Sequence, residues 1–390
     1  MYGGVLQAGY EMIRLTIPSI EEDDLQAARE ALSSGFLVQG TRVAEFEKSI
    51  ASYVGVKHVI AVSNCTAALH LALLGLDVYV GDLVLVTTYS WIATANVIEL
   101  CGAQPVFVDI KPDTFNMDPE RLEDTLKRLM STAETARRVK AILPVHTFGQ
   151  MANMTAIMKV ANQYNIPVIE DAACALGAKW EERQAGTWGV MGCFSFHPRK
   201  AITTGEGGAL ITNNDQLARK VRALRNHGQD PGALLPDFIM PGYNYRITEF
   251  QAAFGSSQMK KLDRIIMARR KLAHQYDSLL ENDPVIAPFV PSESLPVYQS
   301  YVTLLPEAAA PQRAKIIREL KEQGVETNIG TWHMPLTTYF RTRYGYRQGD
   351  FPVTDRVFDC TFTLPLHEFL TESEQESVVE KFTQSVQALT

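Results

Sequence analysis

The chain of 390 residues could hold two or three domains, and 46% hydrophobic against 21% charged residues is ample for large buried cores. The net charge of -7 argues against a nucleic-acid partner, and no uninterrupted apolar run reaches the ~18 residues of a membrane-spanning helix. We therefore expect a small-molecule partner, with no nucleic acid and no membrane.

The cysteines contain no C-x-x-C pair and no grouping with histidine at metal-ligand spacing. This pattern predicts reduced thiols, a cytoplasmic location and no metal site. The five cysteines are Cys65, Cys101, Cys174, Cys193 and Cys360.

A helix is predicted near the start of the chain. Ser19-Ile20-Glu21-Glu22 has the spacing of a capping box, and the apolar residues Leu25, Ala28 and Leu32 continue at helical period until Gly35. Residues 1–16 before it are predicted to be an extension, because the segment before Met12 has neither periodicity nor the basic and apolar regions of a secretion signal.

Short apolar strands then alternate with helical segments such as Thr155 to Tyr164. Strands that are apolar on both faces indicate an α/β layer with a mostly parallel sheet, whose functional residues lie at the carboxyl ends of the strands. The predicted strands are 58–62, 83–87, 106–109, 141–145, 167–170, 192–196 and 209–212.

The pattern becomes helix-rich after Asn213, over 215–226 and 248–280. A strand near 298–305, a helix over 312–323 and a last helix opened by the capping box Thr371 to Glu374 predict a smaller α/β domain. We expect an extension at 1–16, a large domain at 17–260 and a small carboxyl-terminal domain at 261–390.

Two ionisable residues at predicted strand ends carry most of the functional signal. Lys200 follows the strand that ends in Ser195-Phe196, and it enters the glycine-rich turn Gly205-Glu206-Gly207-Gly208. Asp171 ends the apolar strand before it. An isolated lysine is usually a solvated cation, but a lysine and an aspartate on neighbouring strand ends provide the Schiff-base amine and the pyridinium partner of a pyridoxal phosphate site.

The segment Ser63 to Leu69 follows a strand and opens a helix, so that its N–H groups could hold a phosphate. A plain helix cap explains the same residues when they are considered alone. Three further residues also keep two interpretations. Trp91 either stacks on a cofactor ring or packs in the core, Ser195 either binds phosphate or satisfies a backbone group, and His197 either assists proton transfer or is structural.

Several motifs together resemble the DegT/DnrJ/StrS family of sugar aminotransferases. The resemblance runs from about Ile17 to the carboxyl end. It implies an aspartate-aminotransferase-like fold of type I, a large domain with a mostly parallel sheet plus a smaller carboxyl-terminal domain, and a homodimer with shared active sites. The motifs are Gly35 to Gly40, Glu170 to Ala173, Ser195 to Lys200, Gly205 to Gly208, Arg225 to Gly228 and Gly242 to Arg246.

The resemblance also implies residue roles around pyridoxal 5'-phosphate. Lys200 forms the Schiff base, Asp171 pairs with the pyridinium nitrogen and Trp91 stacks on the ring, while Asn244 reaches the phosphate from the partner subunit. The residues that hold the phosphate within the chain are Thr66, Ala67 and Ser195.

The chain departs from the family pattern at two places. Cys174 stands where the family often has a glutamine close to the ring hydroxyl of the cofactor, and a thiol is a poorer donor, so its role stays open. Asn64-Cys65 replaces a commoner Ser-Gly before Thr66. The backbone-anchored phosphate site is still expected there.

The implied reaction moves an amino group from an amino acid, L-glutamate by family expectation, to a nucleotide-linked keto-sugar for a polysaccharide, glycan or secondary metabolite. His197, where several relatives that aminate carbon 3 carry Tyr or Phe, favours carbon 4 of a 4-keto-6-deoxy sugar. A keto-cyclitol aminotransferase and a non-catalytic, cofactor-binding regulator are the alternatives. A sugar 3-dehydratase is disfavoured, because that branch replaces the anchoring lysine with histidine.

Overall fold

The computed structural model describes residues 12–388. The predicted extension therefore lies mostly outside the described residues. The helices are α1 Glu22–Ser33, α2 Thr41–Val54, α3 Cys65–Gly75, α4 Ala93–Leu100, α5 Pro119–Met130, α6 Ala133–Arg138, α7 Met154–Tyr164, α8 Asp215–Arg225, α9 Glu249–Met259, α10 Leu262–Leu279, α11 Arg313–Glu322, α12 Thr338–Tyr344, α13 Pro352–Cys360 and α14 Glu372–Gln387.

The strands fall close to the predicted ones in the first two thirds of the chain. They are β1 His58–Val62, β2 Leu83–Thr87, β3 Tyr89–Ser90, β4 Gln104–Val108, β5 Val139–Leu143, β6 Ile169–Asp171, β7 Lys179–Trp180, β8 Arg183–Gln184, β9 Met191–Ser195, β10 Gly208–Thr212, β11 Ser294–Leu295, β12 Tyr301–Leu304, β13 Asn328–Ile329, β14 Trp332–His333 and β15 Thr361–Leu364.

A mostly parallel sheet lies at the centre of the large domain, which confirms the predicted α/β class. The strands β4-β2-β5 and β6-β9 are parallel, whereas β10 is antiparallel to both β9 and β1. Parallel bridges at Ile142–Val168 and Val145–Asp171 join the two groups. The resulting order is β4-β2-β5-β6-β9-β10-β1, with β10 alone reversed.

Successive side chains of these strands point to opposite faces, and each face is buried under helices. Val59 and Ala61 of β1 pack in one hydrophobic core, while Ile60 and Val62 pack in the other. The two-sided burial explains why the strands are continuously apolar in the sequence.

The start of the first helix differs from the prediction. Its N-cap is Glu21, whose N–H donates to the Asp24 carboxylate at 2.8 Å. Ser19 is not the cap, because its backbone carbonyl is tied to the Gln258 side chain at 2.6 Å. The predicted apolar stripe is also not buried in this chain, since Leu25 and Leu32 are half exposed whereas Asp24 and Ala31 are buried.

A carboxylate distant in the sequence caps α2. Glu249, which is buried, accepts the N–H groups of Gly40, Arg42 and Val43 at 2.8, 3.0 and 3.0 Å. A Cβ at Gly40 would lie 2.5 Å from Glu249 Oε2, so a side chain at this position would displace the cap.

The predicted long helix is two helices, and the break between α9 and α10 falls at Lys260–Lys261, where we placed the domain boundary. Beyond it, β12, β15 and β13 form an antiparallel sheet that packs with α10, α11 and α14. The capping box predicted at Thr371 and Glu374 is confirmed. Residue Ile13 pairs with Val325 beside this sheet.

The segment between β13 and β15 contacts the large domain. Strand β14 pairs with β3, and the Asp109 carboxylate accepts the N–H groups of Val353 and Thr354 at 3.1 and 3.0 Å. The Thr354 hydroxyl donates to the same carboxylate at 2.6 Å. Among the helices of residues 12–388, none has the length and apolarity needed to cross a membrane.

Candidate active site

The segments that follow β1, β2, β6 and β9 meet at one edge of the sheet, because these strands run in the same direction. They carry most of the predicted site residues, namely Thr66, Ala67, Trp91, Asp171, Ser195, His197 and Lys200.

The amino end of α3 provides unpaired backbone donors at this edge. Asn64 is the N-cap, and its side-chain oxygen accepts the Ala67 N–H at 2.8 Å. The first intrahelical bond runs from Ala68 N to Asn64 O. The N–H groups of Cys65 and Thr66 precede this bond, so they and the helix dipole favour an anion, whereas the Ala67 N–H is already paired.

The backbone of β10 passes directly against this turn. A Cβ at Gly208 would lie 2.5 Å from Asn64 C and 2.6 Å from Cys65 N. Glycine is required here because of this close approach. Gly208 is also the cross-strand partner of Ser195, so the end of β9 lies beside the turn.

The Asp171 carboxylate is buried at the end of β6, with 3% of the residue exposed. Its Oδ2 accepts the Thr94 hydroxyl at 2.7 Å and its Oδ1 accepts the Ala173 N–H at 3.2 Å. Burial raises the pKa of Asp171, and the bonds from Thr94 and Ala173 together with the charges of Lys200 and His146 oppose that rise. The site therefore holds a carboxylate whose charge a nearby cation would stabilise.

Lys200 lies in the turn after β9, and its Nζ is 3.0 Å from Cys174 Sγ. Burial disfavours its ammonium, but the neighbouring Cys174, Cys65 and Asp171 favour the charge and raise the pKa of Lys200 overall. Because β6 pairs in parallel with β9 and Lys200 contacts Cys174, three residues after Asp171, the two predicted groups lie at the same edge of the sheet.

Ser195 is the last residue of β9, and His197 lies between β9 and Lys200; both are half-buried. His197 Nδ1 accepts the Arg199 N–H at 3.2 Å, which leaves the ring proton on Nε2. Burial lowers the pKa of His197, so the ring is neutral at pH 7. The Ser195 hydroxyl oxygen accepts the His197 N–H at 3.4 Å.

Two predicted residues lie on the surface of the chain. Trp91 is 63% exposed at the rim of the same edge, so it is not a core tryptophan. Asn244 is exposed and bridges to Asn226. The carbonyl of the next residue, Tyr245, accepts the Ser63 N–H at 2.9 Å, so this segment runs beside the turn before α3.

Sequence reasoning missed the buried support beneath Asp171. Glu170 accepts the N–H groups of Gly186, Trp188 and Gly189 at 2.8, 2.6 and 2.7 Å. Its fourth partner is His146 Nε2 at 2.8 Å, and both side chains are fully buried. The sequence contained a signal for it. Glu170 and Asp171 are neighbours on one strand, so their side chains point to opposite faces of the sheet, and a buried Glu170 needs partners of its own.

A separate small pocket lies among Phe115, Phe148 and Tyr298. None of the predicted site residues lines it. The described residues contain no group of three or more His, Cys, Asp or Glu side chains that could hold a metal ion.

Comparison with known proteins defines the class. The model of the DegT/DnrJ/EryC1/StrS aminotransferase family matches residues 18–383. The GDP-perosamine synthase of Caulobacter vibrioides is 36% identical over 373 residues, which cover 94% of this chain and 96% of that protein. The spore coat polysaccharide biosynthesis protein SpsC of Bacillus subtilis is 34% identical over 388 residues, or 96% and 97% of the two chains.

A solved structure agrees with the sequence relatives. The putative sugar aminotransferase Spr1654 of Streptococcus pneumoniae, in its PMP form, superposes with a TM-score of 0.90 and 26% identity over 97% of this chain and 98% of that chain. The same protein is also known in its PLP form.

The chain belongs to the DegT/DnrJ/EryC1/StrS aminotransferase family. It has the fold of type I and is an aminotransferase that depends on pyridoxal 5'-phosphate. The site fits this cofactor: the amino end of α3 suits the phosphate, and the Lys200 amine lies in the same cleft. Within residues 12–388 the buried Asp171 carboxylate makes no ion pair, so it suits a cationic ring nitrogen.

Proposed function

We propose that this protein moves an amino group from L-glutamate to a keto-sugar carried on a nucleotide, in the biosynthesis of a polysaccharide, glycan or secondary metabolite. The observation that carries the proposal is the position of the buried Asp171 carboxylate and the half-buried Lys200 amine at one edge of the sheet. The names of two relatives, a GDP-perosamine synthase and a spore coat polysaccharide protein, support a sugar acceptor.

In this proposal each residue has one role toward the cofactor. Lys200 links to it covalently, Asp171 holds the proton of the ring nitrogen and Trp91 covers one face of the ring. Thr66 and Ser195 hold the phosphate together with the N–H groups at the start of α3. Ala67 contributes there as well, with its own N–H bonded to Asn64.

Bound pyridoxal phosphate supplies an electron sink for the α-carbon of an amino acid. The Lys200 amine would accept the proton from that α-carbon and donate it to the cofactor carbon that carries the amino group. His197 has a neutral ring with its proton on Nε2, which suits a supporting role in proton transfer.

The proposed acceptor is a 4-keto-6-deoxy sugar aminated at carbon 4. His197 supports this choice, because several relatives that aminate carbon 3 carry Tyr or Phe at that position. The small domain is proposed to begin near residue 261, at the break between α9 and α10.

The proposed assembly is a cytoplasmic homodimer whose sites are completed by Asn244 of the neighbouring subunit. Two observations support it. Asn244 is exposed in the single chain, and the apolar side chains Leu25, Leu32 and Phe36 are exposed on and after α1. Because the described cysteines are all free, they are compatible with a reducing compartment.

The test incubates the holoenzyme with L-glutamate and a panel of keto-sugar nucleotides and keto-cyclitols, and identifies aminated products by mass spectrometry and NMR. Amination of a 4-keto-6-deoxy sugar nucleotide, absent with Lys200→Ala, is the expected outcome. Amination of cyclitols alone would replace the proposed substrate class. Failure of glutamate to convert the cofactor at all would favour a non-catalytic, cofactor-binding regulator.

A further inference from the structure

The two oxygens of the Asp171 carboxylate have unequal partners. Oδ2 accepts the Thr94 hydroxyl at 2.7 Å, whereas Oδ1 accepts the Ala173 backbone N–H at 3.2 Å. In residues 12–388, Thr94 provides the side-chain hydrogen bond to this carboxylate. Thr94 is 1% exposed, so water does not compete for the bond.

The direction of this bond follows from the number of protons. A threonine hydroxyl has one proton, and an ionised carboxylate only accepts. Two other oxygens lie near Thr94 Oγ1, the Trp91 carbonyl at 3.2 Å and the Ser90 hydroxyl at 3.3 Å. Asp171 is the nearest and the most basic acceptor, so the Thr94 hydroxyl donates to Asp171 while Ser90 can donate to Thr94.

The surrounding backbone keeps Thr94 in place. Its own N–H donates to the Trp91 carbonyl at 3.2 Å, in the first turn of α4. Ser90 belongs to β3, which pairs with β14 through Trp332. The hydroxyl therefore approaches Asp171 from a rigid element, which is what a positioning group requires.

We propose that Thr94 is a positioning residue that fixes the orientation of the Asp171 carboxylate and favours its ionised form toward the ring nitrogen of the cofactor. This inference rests on the proposed role of Asp171. It assigns to the Thr94 hydroxyl a function in cofactor binding and proton transfer in addition to its packing in α4.

The electrostatics around Asp171 agree with this role. Burial raises the pKa of Asp171, and the Thr94 hydrogen bond is the largest of the effects that oppose the rise. The weaker opposing effects come from the Ala173 N–H, Lys200 and His146, while Cys65 and Cys193 also lie within electrostatic range. Removal of the Thr94 hydroxyl would therefore raise the pKa of Asp171 further.

The test compares Thr94→Val, which keeps the shape and removes the donor, with Thr94→Ser, which keeps the donor. In Thr94→Val we expect the dissociation constant of pyridoxal phosphate to rise, and the half-reaction with L-glutamate to slow, each by about ten-fold to a hundred-fold. Thr94→Ser should stay within about three-fold of the wild type. The absorption band of the bound cofactor should change its pH dependence in Thr94→Val only.

Thr363→Val is the matched control. Its hydroxyl is buried and donates to the Ile329 carbonyl at 2.7 Å, in the carboxyl-terminal sheet. This variant should lose a similar free energy of unfolding and leave the cofactor spectrum unchanged. If Thr94→Val does not fold, Thr94→Ala removes the same hydroxyl with less steric demand.

A double-mutant cycle with Asp171→Asn separates the inference from the proposed function. If Thr94 acts through Asp171, the Thr94→Val effect on cofactor affinity should disappear in the Asp171→Asn background. A folded Thr94→Val enzyme with wild-type affinity, spectrum and half-reaction rate would overturn the inference. An Asp171→Asn enzyme that behaves like the wild type would instead overturn the role of Asp171.

Discussion

The side-chain nitrogen of Lys200 lies 3.0 Å from the sulfur of Cys174. The thiol thus lies next to the amine that we propose as the covalent anchor of the cofactor. Cys174 is half-buried, whereas Cys65, Cys101, Cys193 and Cys360 are buried. Burial also raises the pKa of the Cys65 and Cys193 thiols, which makes them poorer nucleophiles.

We predict that iodoacetamide labels the apoenzyme first at Cys174. The added group would crowd Lys200, so cofactor capture, measured by the yellow absorption band, should fall by about ten-fold or more. Bound cofactor should protect the thiol. The Cys174→Ser apoenzyme is the control and should resist inactivation. Equal inactivation of Cys174→Ser, with peptide mapping to another residue, would contradict this prediction.

Gly208→Ala should damage the phosphate end of the site. The new Cβ would overlap the backbone of Asn64 and Cys65, so the start of α3 must move, at a cost of about 1–3 kcal/mol in the free energy of unfolding. The dissociation constant of the cofactor should rise as well. Urea unfolding and absorbance titration measure the two effects.

Gly232→Ala is the control for Gly208→Ala, because its Cβ would meet only Asp230 Oδ1 at 3.6 Å. Gly232→Ala should change neither the free energy of unfolding nor the dissociation constant of the cofactor. Wild-type cofactor affinity in Gly208→Ala would show that the turn before α3 does not bind the phosphate.

The sequence predicted the large sheet well because its strands are buried on both faces and are therefore uniformly apolar. It predicted α1 less well, since the capping-box spacing indicated Ser19, whose carbonyl instead accepts a hydrogen bond from the distant Gln258 side chain. The pairing of β14 with β3 and the cap that Glu249 forms on α2 join segments far apart in the chain, which no local pattern encodes.

In the candidate site, too, local patterns predicted only part of the arrangement. Asp171 and Lys200 follow the carboxyl ends of predicted strands, so their position at one edge is expected from the parallel sheet. Thr94 lies in a short helix that carries no motif of its own. Its contact with Asp171 depends on how α4 packs against β6, which the sequence does not state.

Asp171→Asn should stabilise the apoenzyme but weaken cofactor binding in the holoenzyme. Burial raises the pKa of Asp171 above the ordinary value of an aspartate, so the folded apoenzyme binds this proton more tightly than the unfolded chain does. The contribution of Asp171 to stability is therefore largest below the unfolded pKa and decreases as the pH rises toward the folded one. In the holoenzyme, by the role that we propose for Asp171, the cationic ring nitrogen would compensate the charge.

We expect the Asp171→Asn apoenzyme to be more stable than the wild type near pH 7, by about 1 kcal/mol, with less difference near pH 4. The variant should nevertheless bind the cofactor more weakly and react with glutamate orders of magnitude more slowly. Urea unfolding at both pH values and single-turnover absorbance provide the measurements. Asp359→Asn, on the exposed part of α13, is the control. An Asp171→Asn apoenzyme that is less stable than the wild type near pH 7 would contradict this prediction.

Asn244 allows a test of the shared site, because it is exposed in the single chain. Lys200→Ala should be inactive and Asn244→Ala strongly impaired. When the two proteins are mixed under conditions that exchange subunits, one site of each heterodimer would receive an intact lysine and an intact asparagine. Activity should then return to about a quarter of the wild-type value, since half of the dimers are mixed and each has one complete site. Subunit exchange without recovered activity, or an active species that sediments as a monomer, would show that Asn244 acts within its own chain or only in folding.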